Sequence, residues 1–96
     1  MKESSLQASI LKRLRERGAW AVKYQAGPFS RMGVPDLLCC IPKDNVGRFV
    51  AIEVKRPAGR MTKLQMKEIG DIKNAGGHAT VIRSMEELER FLELFS

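Results

Sequence analysis

Histidine occurs once in the 96-residue chain and cysteine only twice, as the adjacent pair Cys39 and Cys40. Neighbouring cysteines do not reach the geometry of an ordinary disulfide. Without CxxC or Cys–His spacing no zinc site is expected either, so both read as small apolar residues of a strand. Long apolar runs are also missing. The longest, residues 37–42, is far too short for a membrane-spanning helix, and no membrane partner is expected. Residues 6–14 are interrupted by Gln7, Ser9, Lys12 and Arg13 and do not make a secretory signal. A cytoplasmic location, in a bacterium or a virus-infected host, is the resulting expectation. No repeat, linker or low-complexity tract divides the chain, and its length suits one domain over residues 1–96.

Charge is plentiful and unevenly placed. The net charge is +6, but residues 84–96 set Arg90 against Glu86, Glu87, Glu89 and Glu93. The stretch before Ser84 therefore carries sixteen basic against seven acidic residues. A basic body of this kind fits a polyanionic partner, nucleic acid most simply; a solubilising surface would look the same.

Periodicity divides the chain into seven elements. Leu6, Ile10 and Leu14 recur every four positions beside Leu11, predicting a helix over residues 4–17 that ends at Gly18. Glu3 and Gln7 share one side of it if the helix begins by residue 3. Residues 19–25 alternate as a first strand, with Trp20 expected in the core. Residues 26–33 have the Gly, Pro and Ser of a loop, and Pro35 suits the entry to a second strand over residues 37–41.

Pro42 to Gly47 read as a hairpin-length turn. The third strand, residues 48–55, places Val50, Ile52 and Val54 on one face and Phe49, Ala51, Glu53 and Lys55 on the other. A strand apolar on both faces calls for helices on both sides of the sheet. Thr62 and Gln65 form a capping box that opens a second helix, running to about residue 75. Residues 78–83 predict a fourth strand, with His78 at its start. Ser84-x-x-Glu87 is a second capping box, opening a helix with Leu88, Phe91, Leu92 and Phe95 on one face. The expected fold class is α/β, a mixed four-stranded sheet in the order α-β-β-β-α-β-α with helices on both faces. The second and third strands should be antiparallel and the third and fourth parallel.

Antiparallel pairing brings Asp36, before the second strand, next to Glu53, near the end of the third. Two converging carboxylates repel, and a hard cation such as Mg²⁺ relieves this while also taking phosphate oxygens. The carbonyl of Val54 offers a further oxygen. Lys55, on the same face as Glu53, is placed to orient or deprotonate an attacking water and to offset charge in the transition state. The same spacing also fits an inert buried ion-pair cluster in a basic nucleic-acid-binding module without catalysis. Lys23, Ser30, Arg31, Arg56, Arg60 and Arg13 are candidate phosphate contacts or plain solvated residues.

The ordered set GVPD (Gly33 to Asp36), strand, turn and IEVK (Ile52 to Lys55) resembles the PD-(D/E)xK nuclease superfamily. More narrowly, nearly the whole chain resembles a stand-alone VRR-NUC domain, the virus-type replication and repair nuclease module. The likeness takes in Glu3 and Gln7, residues 27–33, GRFVAIEVKRPAGR (Gly47 to Arg60), Thr62-x-x-Gln65, AGGHATVIRS (Ala75 to Ser84) and the closing helix. It implies a restriction-endonuclease-like core and a nuclease using Mg²⁺ or Mn²⁺. Asp36 and Glu53 would be metal ligands, Lys55 the catalytic lysine and Gln65 an active-site residue, with Glu3 a further acidic group reaching in from the first helix. It also implies a DNA substrate, branched as in a four-way junction, cut by a homodimer in replication, repair or recombination.

Overall fold

The computed structural model describes residues 2–96. Its elements are α1 (Glu3–Glu16), β1 (Trp20–Lys23), β2 (Leu37–Lys43), β3 (Val46–Val54), α2 (Lys63–Asn74), β4 (His78–Ile82) and α3 (Met85–Leu92), with a 3₁₀ turn at Glu93–Phe95. The strands lie side by side in the order β1-β2-β3-β4. The first two pairings are antiparallel and β3–β4 is parallel, the connection between those two running through α2. This is the mixed α/β sheet expected from the periodicity. Among the described residues no helix is long and apolar enough to cross a membrane.

One face of the sheet makes the core. Leu37, Cys39, Ile41, Val50, Ile52, Val54 and Ile82 point towards Leu6, Ile10 and Leu14 of α1 and Leu88 and Leu92 of α3, all essentially removed from water. Burial in this apolar layer raises the Cys39 thiol to about 12. Phe95 closes the layer with an edge-on contact to His78, 5.0 Å between ring centroids, and another to Phe91 at 5.5 Å. On the opposite face α2 packs against β4 and reaches β3 through the Gln65 contact with Glu53.

The β2–β3 hairpin is tighter than expected. Both strands run through the anticipated turn and pair as far as Lys43 with Val46, leaving only Asp44 and Asn45 in the bend. Both have positive φ, 53° and 64°. That is the two-residue turn whose twist suits a hairpin, and Asp and Asn tolerate it better than most residues. Pro42 is accommodated inside β2 because β1 reaches only as far as Cys40, so the edge beyond it needs no donor.

Trp20 departs from the expected core position: it is 61% exposed. The register places it level with Cys40 and Phe49 on the second face, where Cys40 is exposed and Phe49 half-exposed as well. The α3 cap also differs. Ser84 Oγ accepts the Glu87 N–H at 3.2 Å as a cap should, but the Glu87 carboxylate turns to the N–H of Arg83, at 3.0 Å, in place of the Ser84 N–H.

Candidate active site

The β2–β3 register pairs Leu37 with Ile52, so one step further Asp36 stands opposite Glu53, on the α2 side of the sheet. The hairpin therefore determines how the two carboxylates meet. Asp36 is held at both ends: its carbonyl accepts the Tyr24 N–H at 2.8 Å, and its Oδ2 accepts the Val54 N–H at 2.8 Å. In extended backbone the N–H and C=O of one residue point to the same edge, so the Val54 carbonyl also faces the Asp36 side. Lys55, fixed by its N–H to the Ile82 carbonyl at 3.1 Å, brings Nζ to 3.5 Å from Glu53 Oε2.

Gln65 makes two sets of contacts, one within the cap of α2 and one to Glu53. Its backbone N–H donates to Thr62 Oγ1 at 3.1 Å and its Oε1 accepts the Thr62 N–H at 2.9 Å, which completes the capping box. That leaves Nε2 free to donate to Glu53 Oε2 at 3.2 Å. A backbone N–H requires the amide oxygen and a carboxylate requires the nitrogen, so both partners demand one orientation of the amide. Gly33 permits the approach. Its φ is +86°, and a Cβ there would lie 2.6 Å from the Leu64 carbonyl oxygen and 3.0 Å from the Gln65 nitrogen. The loop before Asp36 thus rests directly on the first turn of α2.

Glu53 is 3% exposed. Burial first, and then the charge of Asp36, push its carboxyl from the ordinary 4.5 up to about 7, against the opposing pull of Lys55. Two carboxylates facing one lysine leave negative charge uncompensated in a desolvated place. Carboxylate and carbonyl oxygens are the donors a hard divalent cation takes, so the residues present fit such an ion.

The remaining candidates fall in different places. Asp36, Glu53, Lys55 and Gln65 are brought together; Glu3 is not gathered with them. It lies half-buried in the first turn of α1, and among the described residues no three His, Cys, Asp or Glu side chains cluster closely enough to hold a metal ion. Ser30 Oγ accepts the Gly27 N–H at 2.7 Å within its own loop. Arg31 is engaged by Glu68, and Arg13 pairs with Glu89 at 2.8 Å on the far side of the core. Lys23, Arg56 and Arg60 are exposed.

Sequence reading overlooked two residues around the site. Arg83 Nη1 donates to the carbonyls of Arg56 at 2.9 Å and Gly59 at 2.7 Å, which shapes the segment after Lys55. Glu68 is the buried residue of α2; its place three positions after Gln65, on the same helix face, was the available signal.

Among solved structures, one described as a VRR_NUC domain matches with a TM-score of 0.81 at 23% identity, covering 98% of this chain and 97% of its own. A second, a VRR_NUC domain protein, matches with a TM-score of 0.75 at 18% identity over 99% of this chain and 88% of its own. Hjc from Archaeoglobus fulgidus, a Holliday junction resolvase of an archaeal hyperthermophile, matches with a TM-score of 0.62 at 19% identity, covering 84% of this chain and 67% of its own. At these identities the likeness is one of fold. No curated protein sequence matches the chain. The family model for the VRR-NUC domain, however, matches residues 1–86, nearly the whole of what folds around the carboxylate pair. The chain belongs to the VRR-NUC family, nucleases of the PD-(D/E)xK type.

Proposed function

We propose that the protein is a divalent-metal-dependent DNA endonuclease that hydrolyses phosphodiester bonds, with Asp36, Glu53 and the Val54 carbonyl holding Mg²⁺ or Mn²⁺. The observation that carries this reading is the opposition of Asp36 and Glu53 at the hairpin end, with Lys55 against one of them and too little positive charge to balance both. When bound there, such an ion would supply Lewis-acid polarisation of the phosphoryl group and of a water.

The chain's own groups do the rest. The Val54 N–H keeps Asp36 turned into the site, and Gln65 holds the Glu53 carboxylate at Oε2. Lys55 brings a cation next to Glu53 at a buried position, where it offsets the charge that develops on the phosphoryl oxygens and orients the water. Lys23, Arg56 and Arg60, exposed around the site, supply phosphate contacts that position DNA without reading its sequence.

Branched DNA is the substrate we favour. The basic body binds by backbone charge, and the fold is shared with a protein described as a Holliday junction resolvase. Two symmetric incisions in a junction need two sites, which a homodimer provides.

Cleavage of a four-way junction, a flap and a linear duplex, with Mg²⁺, Mn²⁺ or EDTA, tests the proposal. Wild type should cut the junction fastest and lose all activity in EDTA, and Asp36→Ala or Lys55→Ala should slow cutting by about 10²–10⁴-fold. Undiminished nicking by either variant would refute the assignment of the site. Tight binding with no cleavage in either metal would leave a basic binding module.

A further inference from the structure

Helix α2 delivers Gln65 to the site, yet its first two turns have little apolar anchorage. Leu64 and Met66 are exposed, and the buried residue of the helix is a carboxylate, Glu68. A buried carboxylate is costly unless a cation faces it. Here the cation is Arg31, whose Nε donates to Glu68 Oε1. The two ends of the pair differ: the Glu68 side chain is 11% exposed and that of Arg31 65%. The carboxylate is thus the fixed end and the arginine an arm laid onto it from the loop.

Both ends lead into the site. Arg31 precedes Gly33 by two residues and Asp36 by five, and Gly33 is the residue packed on the backbone of Leu64 and Gln65. Glu68 follows Gln65 by three, close to one helical turn, so the two side chains share a face. The ion pair and the glycine contact therefore join the same two segments, the approach to Asp36 and the turn that presents Gln65 to Glu53.

We infer that Glu68 is a positioning residue acting through Arg31. Their ion pair clamps the loop before Asp36 to α2 and keeps the Gln65 amide on Glu53, so Arg31 serves the geometry of the site and not the grip on DNA. This rests on the nuclease reading above, and one arm of the test is independent of cleavage.

Steady-state cleavage by the full chain with Mg²⁺ is measured alongside amide hydrogen exchange of the metal-free, DNA-free protein. Glu68→Gln and Arg31→Gln should each lower kcat about tenfold with KM for DNA within about twofold of wild type, because a small misplacement of reacting groups costs rate rather than binding. The double variant should be no slower than the slower single one, as expected for two residues forming one contact. Exchange at Gln65 and Met66 should quicken in both variants, while Ile10 and Leu14 in the core keep their protection. A merely stabilising ion pair would leave kcat untouched once the protein is folded.

A loss borne by KM in Arg31→Gln, or additive losses in the double variant, would overturn the clamp and return Arg31 to phosphate contact. If wild type cuts no DNA, the nuclease reading fails on its own. The exchange arm still decides the clamp, and unchanged protection at Gln65 in both single variants would overturn it.

Discussion

The two faces of the sheet are built differently from alternate residues of the same strands. Beneath α1 and α3, the β3 residues Val50, Ile52 and Val54 are fully buried among aliphatic side chains. On the α2 side the intervening β3 residues are Phe49, half-exposed, then Ala51 and Glu53, with Lys55 just past the strand end. Apolar burial is concentrated on the first face and the ionisable groups Glu53 and Lys55 lie on the second. The dry face fixes the register, and the register delivers Glu53 opposite Asp36, because slipping a strand by one residue exchanges its faces. The second face can then tolerate the buried Glu53 carboxylate beside Asp36.

The contrast is broken most forcefully from the core side. Leu88 is fully buried in α3 against the sheet, and Leu88→Ala removes methylenes and leaves a cavity. A loss of about 2–5 kcal/mol is expected in denaturant unfolding, from a domain whose total stability is of that order. A loss below 1 kcal/mol would mean that this face is not the one holding the fold together.

The contact between the loop before Asp36 and α2 should show the next largest effect. At Gly33 an alanine must adopt a φ of +86° and also place its Cβ 2.6 Å from the Leu64 carbonyl oxygen. Gly33→Ala is expected to destabilise by about 2–3 kcal/mol and to slow cleavage further, since α2 must move away and carry Gln65 off Glu53. Wild-type unfolding together with wild-type cleavage would show that the loop does not bear on the helix.

Glu53→Gln should move stability in the opposite direction. The native carboxyl titrates near 7 against an ordinary 4.5, so the folded state holds the proton more tightly than the unfolded chain does. Its contribution is complete below pH 4.5 and is lost as pH rises through 7. At pH 8 the metal-free Glu53→Gln protein is expected to be more stable than wild type by about 1–2 kcal/mol, with the difference vanishing near pH 4.5. Mg²⁺ should raise the melting temperature of wild type at pH 8 and not that of the variant. A destabilised variant at pH 8 would mean that the ion pair with Lys55 outweighs burial and the repulsion of Asp36.

What the sequence made legible divides along the same line. The core face was readable because its signals are local and periodic: Leu6, Ile10 and Leu14 on one helix, Leu88 and Leu92 on another, and alternation along β3. The hairpin and the Thr62–Gln65 box were readable for the same reason. The meeting of Asp36 and Glu53 was readable too, since pairing two adjacent strands already brings them side by side. The second face was hidden, because the area α2 covers is set by long-range packing that no short pattern records. For that reason the alternation of β1 places Trp20 inside, and the partner of Glu68, Arg31 across 37 positions, has no local signal even though the spacing from Gln65 marks the helix face of Glu68. Glu3 shares a helix side with Gln7, but helical phase gives no distance to a strand end on another layer.

The smallest effect tests that hidden part directly. Trp20 stands level with Cys40 and Phe49 on the open stretch of sheet, and most of its side chain already touches water. Trp20→Ser should therefore change stability by less than about 0.5 kcal/mol, as surface substitutions usually do. As the single tryptophan of the chain, it should emit at nearly the wavelength of unfolded protein and be quenched readily by acrylamide. A cost of 2 kcal/mol or more, the scale of a buried aromatic side chain, together with a blue-shifted emission, would mean that something covers this stretch in solution. The two faces would then differ in chemistry but not in closure.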